Sequence, residues 1–254
     1  MPRYKLIIEY DGISYAGWQR QNDKPTVQGA LANAILLFCG QNIDVVGAGR
    51  TDAGVHATAQ VAHIDISRDI DSFKVMQGIN YHLFNPLPES NYPVNRIAVL
   101  DAQRVSDDFH ARFSAKKRHY LYRIINRRQR LGLEAGRAWQ VIDDLDEKLM
   151  QKAADILVGH HDFSSFRDTQ CQSKSAEKTL DTLDVTRRNN EIYIIASARS
   201  FLHHQVRNMV GTLSLVGKGR WNIDDVQVAL DAKDRRAGGP TAPPDGLYLT
   251  GVEY

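Results

Sequence analysis

Cysteine is nearly missing from this chain: only Cys39 and Cys171 occur, far apart, with no Cys-x-x-Cys pair and no Cys/His cluster. That pattern argues against a structural zinc site. Two thiols in a chain that opens directly on a strand pattern, without a signal peptide, point to a reducing cytoplasm. Cys39 ends an apolar helical pattern and is expected in the core. No apolar run approaches the roughly 20 residues that cross a bilayer, so no membrane partner is expected. Charge of one sign is also not in excess: the net charge is +2 over 254 residues, which selects no partner by itself. Internal repeats and low-complexity tracts are lacking, which argues against a repeat array or a disordered chain. What remains is ordinary globular material, 43% hydrophobic and 24% charged. A chain of this length buries a sizeable core without disulfide or metal staples, as one large domain or two moderate ones.

Against that background one stretch stands apart, Gly49-Arg50-Thr51-Asp52-Ala53-Gly54-Val55-His56-Ala57. It holds one carboxylate and one guanidinium among glycines, and the neighbours of Asp52 are small or hydroxylated. Glycines give access to backbone geometries closed to other residues. Such a loop presents an acid at the lip of a cleft; the same residues also make an ordinary surface turn.

The elements around it follow from periodicity. Residues Tyr4–Tyr10 alternate as a strand, and Trp18 in the polar loop beyond is read as a packing plug rather than a contact surface. Thr26 caps a helix from Val27 to about Gly40. Strands are expected over Ile43–Ala48 and Ala59–Ile66, so the Asp52 loop lies between two strands, where a scaffold fixes a loop for chemistry. Ser72 is expected to cap a second helix with Phe73, Met76, Ile79 and Leu83 inward, stopped by Asn85-Pro86-Leu87-Pro88. A strand over Ile97–Val105 completes an N-terminal half. Helices on one face of a mainly antiparallel sheet make it α+β.

In the second half, His119–Asn126 alternates as a strand with Tyr120, Tyr122 and Ile124 on one face. Asp146–Val158 is an amphipathic helix expected to close at Gly159. Residues 180–186 and 191–198 make a hairpin across Asn189-Asn190. Val206, Met209, Val210, Leu213 and Val216 form the stripe of a further helix, with Arg207 about a quarter-turn off it. There it either snorkels to solvent or pairs with a carboxylate in a cleft. A short helix near Asp224–Ala232, a Gly/Pro-rich loop over 238–246 and a strand over Leu247–Tyr254 complete the chain. His160, His161 and Asp162 lack further ligands at metal spacing, so no metal is assigned.

Between Phe109 and Leu133 lie eight Lys or Arg residues and no Asp or Glu, interleaved with Phe109, Phe113, Tyr120 and Tyr122. Charge runs are usually solvated faces, here a basic hairpin. RNA binding needs the same combination, cations for phosphates and aromatic faces for unpaired bases. A non-catalytic RNA-binding module would share this pattern but would have no use for the lone acid of the Asp52 loop. A glycoside hydrolase would use the acid but needs a second carboxylate, and Asp11, the one conceivable partner, reads better as a strand-ending turn.

Six segments in order resemble the tRNA pseudouridine synthase A family. They are Glu9-Tyr10-Asp11-Gly12 with Gly17-Trp18-Gln19-Arg20-Gln21, the Gly49–Ala57 loop, Asp108-Phe109-His110-Ala111-Arg112-Phe113, Asp162-Phe163-Ser164-Ser165-Phe166, His203-His204-Gln205-Val206-Arg207-Asn208, and Gly246-Leu247-Tyr248-Leu249. The resemblance covers almost the whole chain. The element pattern itself divides the chain near residue 105 into two α+β halves, 1–105 and 106–254; the resemblance implies that the halves are related and that their mainly antiparallel sheets join across a central cleft. It also implies isomerisation of uridine to pseudouridine at positions 38, 39 and 40 of the tRNA anticodon arm, a homodimer holding tRNA, and no organic cofactor or required metal. By resemblance Asp52 is the catalytic aspartate, Arg207 its counter-ion, Tyr120 the active-site tyrosine, and Arg50 a residue that holds the target nucleotide out of the stack. Further RNA contacts are carried over to Phe109, His110, Ala111, Arg112 and Phe113, and to Gln170, Cys171, Gln172, Ser173 and Lys174.

Overall fold

Alternation along the first strand, β1 (Arg3–Tyr10), sets the core of the N-terminal part: Tyr4, Leu6, Ile8 and Tyr10 are buried and the intervening side chains are not. The computed structural model describes residues 1–87 and 90–254. Helix α1 (Val27–Cys39) starts where Thr26 accepts the Gly29 amide at 3.2 Å and stops at Gly40, whose φ of 74° ends it in the left-handed region. Short β2 (Val46–Gly47) and long β3 (His56–Asp65) flank the Asp52 loop as expected. Helix α2 (Ser72–Phe84) is capped one residue earlier than expected, by Asp71, whose carboxylate accepts the Lys74 amide. Its inner stripe is Val75, Ile79 and Leu83, an i, i+4, i+8 row; Phe73 is instead 59% exposed. The Pro88 part of the expected stop lies outside the described residues. Strand β4 (Ile97–Val105) matches its expected limits.

The chain then forms β5 (Lys117–Asn126), β6 (Trp139–Val141), α3 (Glu147–Leu157), β7 (Gly159–Asp162), β8 (Glu177–Arg188), β9 (Glu191–Ala198), α4 (Gln205–Gly217), α5 (Ile223–Asp231) and β10 (Leu247–Glu253). Asp146 caps α3 by accepting the Lys148 and Leu149 amides. Gly159, expected as its closing residue, begins β7 instead, because the chain turns extended already at Val158. The β8–β9 hairpin turns at Asn189, which takes φ 54°. The expected stripe of α4 is buried throughout.

Contacts divide the chain into two compact units. Unit 1 is Met1–Lys116 with Tyr248–Tyr254, and unit 2 is Lys117–Leu247. In unit 1 the strands run β4–β1–β3–β10, antiparallel except for the parallel β3–β10 pairing, with β2 on β3. In unit 2 the order is β5–β9–β8–β7, antiparallel, with β6 parallel on β5. Each unit is α+β. Residues 106–116, assigned from the sequence to the second half, pack within unit 1, because their turn docks on β1 and β3 as described below. Among the described residues no helix is long and apolar enough to cross a membrane.

Candidate active site

The Asp52 loop is held from beneath by backbone. The first amides of a helix have no partner within it; in α1, Val27 and Gln28 donate theirs to the carbonyls of Gly17 and Trp18, at 3.2 and 3.0 Å. Trp18 in turn donates its amide to the Thr51 carbonyl at 3.0 Å. The Trp18 ring is 2% exposed and lies under Gly47, where a Cβ would come within 2.6 Å of it, so Trp18 is the packing plug expected. Gly17 takes φ +97°, and a Cβ there would meet the Thr51 carbonyl oxygen at 2.6 Å. A Cβ on Gly12 would lie 2.1 Å from the Val55 carbonyl oxygen. Only residues without a side chain let the 12–18 segment come this close to both sides of Asp52.

The loop's other bonds are as specific. The Thr51 hydroxyl shares a buried hydrogen bond of 2.8 Å with the Tyr10 hydroxyl. Val55 donates its amide to the Asp52 carbonyl at 3.1 Å, closing the turn, and Gly54 takes φ 79°. Gln60 donates to the Gly49 carbonyl at 3.0 Å. His56 is buried, accepts the Gly12 amide at Nδ1 and stacks on Tyr248 with ring centroids 4.6 Å apart. Asp52 is thereby half-buried between buried Thr51 and buried Val55, while Arg50 and Ala53 are exposed. This is an acid on a rigid support, beyond what a solvated turn requires.

Phe109–Phe113 also belongs to unit 1. Ala111 is fully buried against Ala48 and Val61, with Phe109, Val252 and Tyr254 around it. Ala48 immediately precedes the Asp52 loop, so loop and turn share one apolar foundation. His110 is half-buried, and Arg112 and Phe113 are exposed.

Unit 2 carries the other candidates. On β5, Tyr120, Tyr122 and Ile124 share the buried face, as the alternation predicts. Tyr122 is structural: it is fully buried, its hydroxyl donates to the Pro243 carbonyl at 2.7 Å, and burial pushes its pKa well above the ordinary tyrosine value against the pull of Arg207. Tyr120 is 9% exposed and meets Phe201 edge-on at 5.1 Å. Arg207, in the first turn of α4, donates its Nε to the Ala242 carbonyl at 2.8 Å, and Ala242 returns its amide to the Arg207 carbonyl at 3.1 Å. The 238–246 loop lies directly on α4: a Cβ on Gly211 would fall 1.7 Å from the Pro240 carbonyl oxygen. The loop therefore aims the guanidinium. The sequence shows it only as a loop, although a glycine inside the α4 stripe signals close backbone approach.

A second arrangement is not legible in the sequence. Asp168 accepts a 2.7 Å bond with His204 Nδ1, and His204 begins α4 with φ 61°. Burial alone would raise the Asp168 carboxyl, but the Gln170 amide and His204 outweigh it and hold the pKa below the ordinary value. Asp168 also ties down the 170–174 segment, donating its own amide to the His203 carbonyl and accepting the Cys171 amide on its carbonyl. Gln170–Lys174 is thereby anchored to the same helix start that carries Arg207.

One expectation changes. The basic stretch is not one hairpin. Its strand β5 pairs with β9 and β6, and several of its cations are engaged within the protein: Lys117 with Asp181, Arg118 with the Arg199 carbonyl, Arg123 with Glu134 and Glu191. Lys116, Arg128 and Arg130 are exposed. His160, His161 and Asp162 each meet a protein partner, Thr179, the Val158 carbonyl and the Ser164 amide respectively, as side chains that alternate along β7.

Comparison of the sequence with known proteins points to one family. The family model described as tRNA pseudouridine synthase matches residues 6–114 and 153–254. Curated relatives named tRNA pseudouridine synthase A include one from Xanthobacter autotrophicus, 58% identical over the full length of both chains. Another, from Rhodopseudomonas palustris, is 57% identical over the full length of both. A third, from Paramagnetospirillum magneticum, is 56% identical over all of this chain and 96% of its own. The Asp52 loop, the Phe109–Phe113 turn and the Arg207 helix all fall inside the matched residues, and the chain belongs to the tRNA pseudouridine synthase family.

Proposed function

We propose that this chain isomerises uridine to pseudouridine in the anticodon arm of tRNA, at positions 38, 39 and 40, acting in the cytoplasm as a homodimer. The observation that carries the reading is the half-buried Asp52 on its backbone-clamped loop, within a chain similar over its full length to relatives of that name. The reaction breaks the ribose C1′–N1 bond, turns the base within the site and joins C1′ to C5. C5 loses its proton and N1 gains one, so atoms balance without an oxidant or an organic cofactor.

In this reading Asp52 acts at the sugar, as nucleophile on C1′ or as base beside it, and must be ionised to do either. A guanidinium nearby favours that form, whereas burial alone opposes it; Arg207 is proposed as the counter-ion. Tyr120 stacks on the uracil and serves the C5 proton. Arg50, exposed beside Asp52, keeps the target nucleotide out of the helical stack, an extrusion that costs a few kcal/mol. Contacts from Phe109–Phe113 and Gln170–Lys174 to the rest of the tRNA offset that cost.

Tritium release from tRNA labelled at uridine C5 tests the reading. Release without loss of base is expected, and Asp52→Asn should lower the rate by at least ~1000-fold, about 4 kcal/mol, while leaving tRNA binding largely intact. Free uracil would indicate hydrolysis instead. Neither release nor uracil would leave a binding protein.

A further inference from the structure

The turn around Ala111 is riveted to unit 1 by three side chains from separate places in the fold. Arg3 on β1 donates from Nη1 to the carbonyls of Asp107 and Phe109, both at 2.7 Å, while its other nitrogens hold Asp65 on β3. His63 on β3 accepts the Ala111 amide at 3.1 Å. Tyr254, just past β10, donates its hydroxyl to the Ala111 carbonyl at 2.8 Å and packs its ring on Phe109 at 4.7 Å. Both backbone groups of Ala111 are thus satisfied by side chains rather than by a ladder.

The opposite side of the turn is left outward. Phe113 is 75% exposed, the Arg112 guanidinium lies 5.7 Å from its ring centroid, and the His110 ring is 4.4 Å away. His110 accepts the Arg112 and Phe113 amides at Nδ1, so the outward face is internally ordered as well. An exposed phenyl ring with a guanidinium over it suits an unpaired base and a phosphate. Fixing it in advance removes part of the entropy lost on binding.

We propose that Tyr254 is a positioning residue for tRNA: together with Arg3 and His63 it fixes the 107–113 turn so that Arg112 and Phe113 are presented ready to bind. The inference rests on the reading that this turn meets tRNA. Tyr254 itself touches the turn and acts only through it.

Steady-state conversion of a tRNA transcript by the full chain is the test. Tyr254→Phe deletes one hydroxyl and keeps the ring. Loss of one net hydrogen bond of about 1 kcal/mol should raise KM roughly 5-fold and leave kcat within about twofold. Phe113→Ala should raise KM at least as much, and adding Tyr254→Phe to it should raise KM little further, because the two act as one unit. If Phe113→Ala and Arg112→Ala both leave KM unchanged, the turn does not meet tRNA and the underlying reading fails. If they raise KM and Tyr254→Phe does not, the turn binds tRNA but Tyr254 does not position it. A Tyr254→Phe effect on kcat or thermal stability alone, with KM at the wild-type value, likewise overturns the inference.

Discussion

His63 shows how a single side chain couples fold to conditions. It is 4% exposed, and burial, followed by the fields of Arg3 and His110, lowers its pKa to about 4, with Asp65 opposing. An unfolded histidine titrates near 6.5. Between those values the unfolded chain takes up a proton that the folded chain refuses, so the group favours unfolding progressively as pH falls from about 6.5 to about 4 and is without effect above. Protonation would also remove the Nδ1 lone pair that accepts the Ala111 amide. The expected outcome is a wild-type Tm that declines over this interval more steeply than that of His63→Gln, with the two profiles parallel above pH ~7; matching slopes below 6.5 would show that His63 is not the group. At this scale the sequence is legible where a residue type is unusual for its surroundings. Asp52 stands out as an acid among glycines, and Trp18 as an apolar plug in a polar loop. The partners of His63 are not readable, because the amide it accepts lies 48 residues away in sequence and the pairing is set by packing.

At the scale of elements, the Asp52 loop depends on a second loop. Gly17 combines a φ of +97° with a backbone contact that leaves no room for Cβ. Gly17→Ala should therefore cost roughly 2–4 kcal/mol of stability and move Thr51 and Asp52 together. Conversion should fall by ten-fold or more even where the variant remains folded, as judged by thermal melting and circular dichroism alongside activity. Wild-type activity in a folded Gly17→Ala protein would mean that the loop tolerates displacement. Helix α1 is legible to its caps, since Thr26 and Gly40 are local signals. The face of α2 is less so: Val75 rather than Phe73 turns inward, because the choice between two apolar rows on one helix is made by what the helix packs against. The basic stretch reads as one hairpin because charge is visible in sequence while strand partners are not.

For the molecule as a whole, the distribution of charge governs how tRNA is met. A net charge of +2 gives little long-range pull, so affinity has to come from local cations. Among those of the basic stretch, Lys116, Arg128 and Arg130 are exposed, whereas Arg118 is buried and bonded to a backbone carbonyl. Replacing Lys116, Arg128 and Arg130 together by Gln should weaken tRNA binding. It should also flatten the salt dependence by roughly 0.7–0.9 in log–log slope for each phosphate that is no longer neutralised. An unchanged slope in filter binding at several salt concentrations would mean that other cations meet the phosphates. Arg118 is unsuited to this comparison, since its removal takes away the bond of a buried side chain to the Arg199 carbonyl.

The sequence alone determined the class of fold and the approximate limits of most elements, and it drew notice to an acid among glycines and an arginine beside a buried stripe. Local signals of this kind follow from backbone preference and side-chain period, which act over a few residues. Tertiary structure decided which segments hold which. The 12–18 backbone supports Asp52, the 238–246 loop aims Arg207, Asp168 ties the 170–174 segment to α4, and the 107–113 turn belongs with the first unit, riveted by residues at positions 3, 63 and 254. Those pairings rest on hydrogen bonds and close backbone contacts between residues remote in sequence, whose partners exist only once the chain has packed.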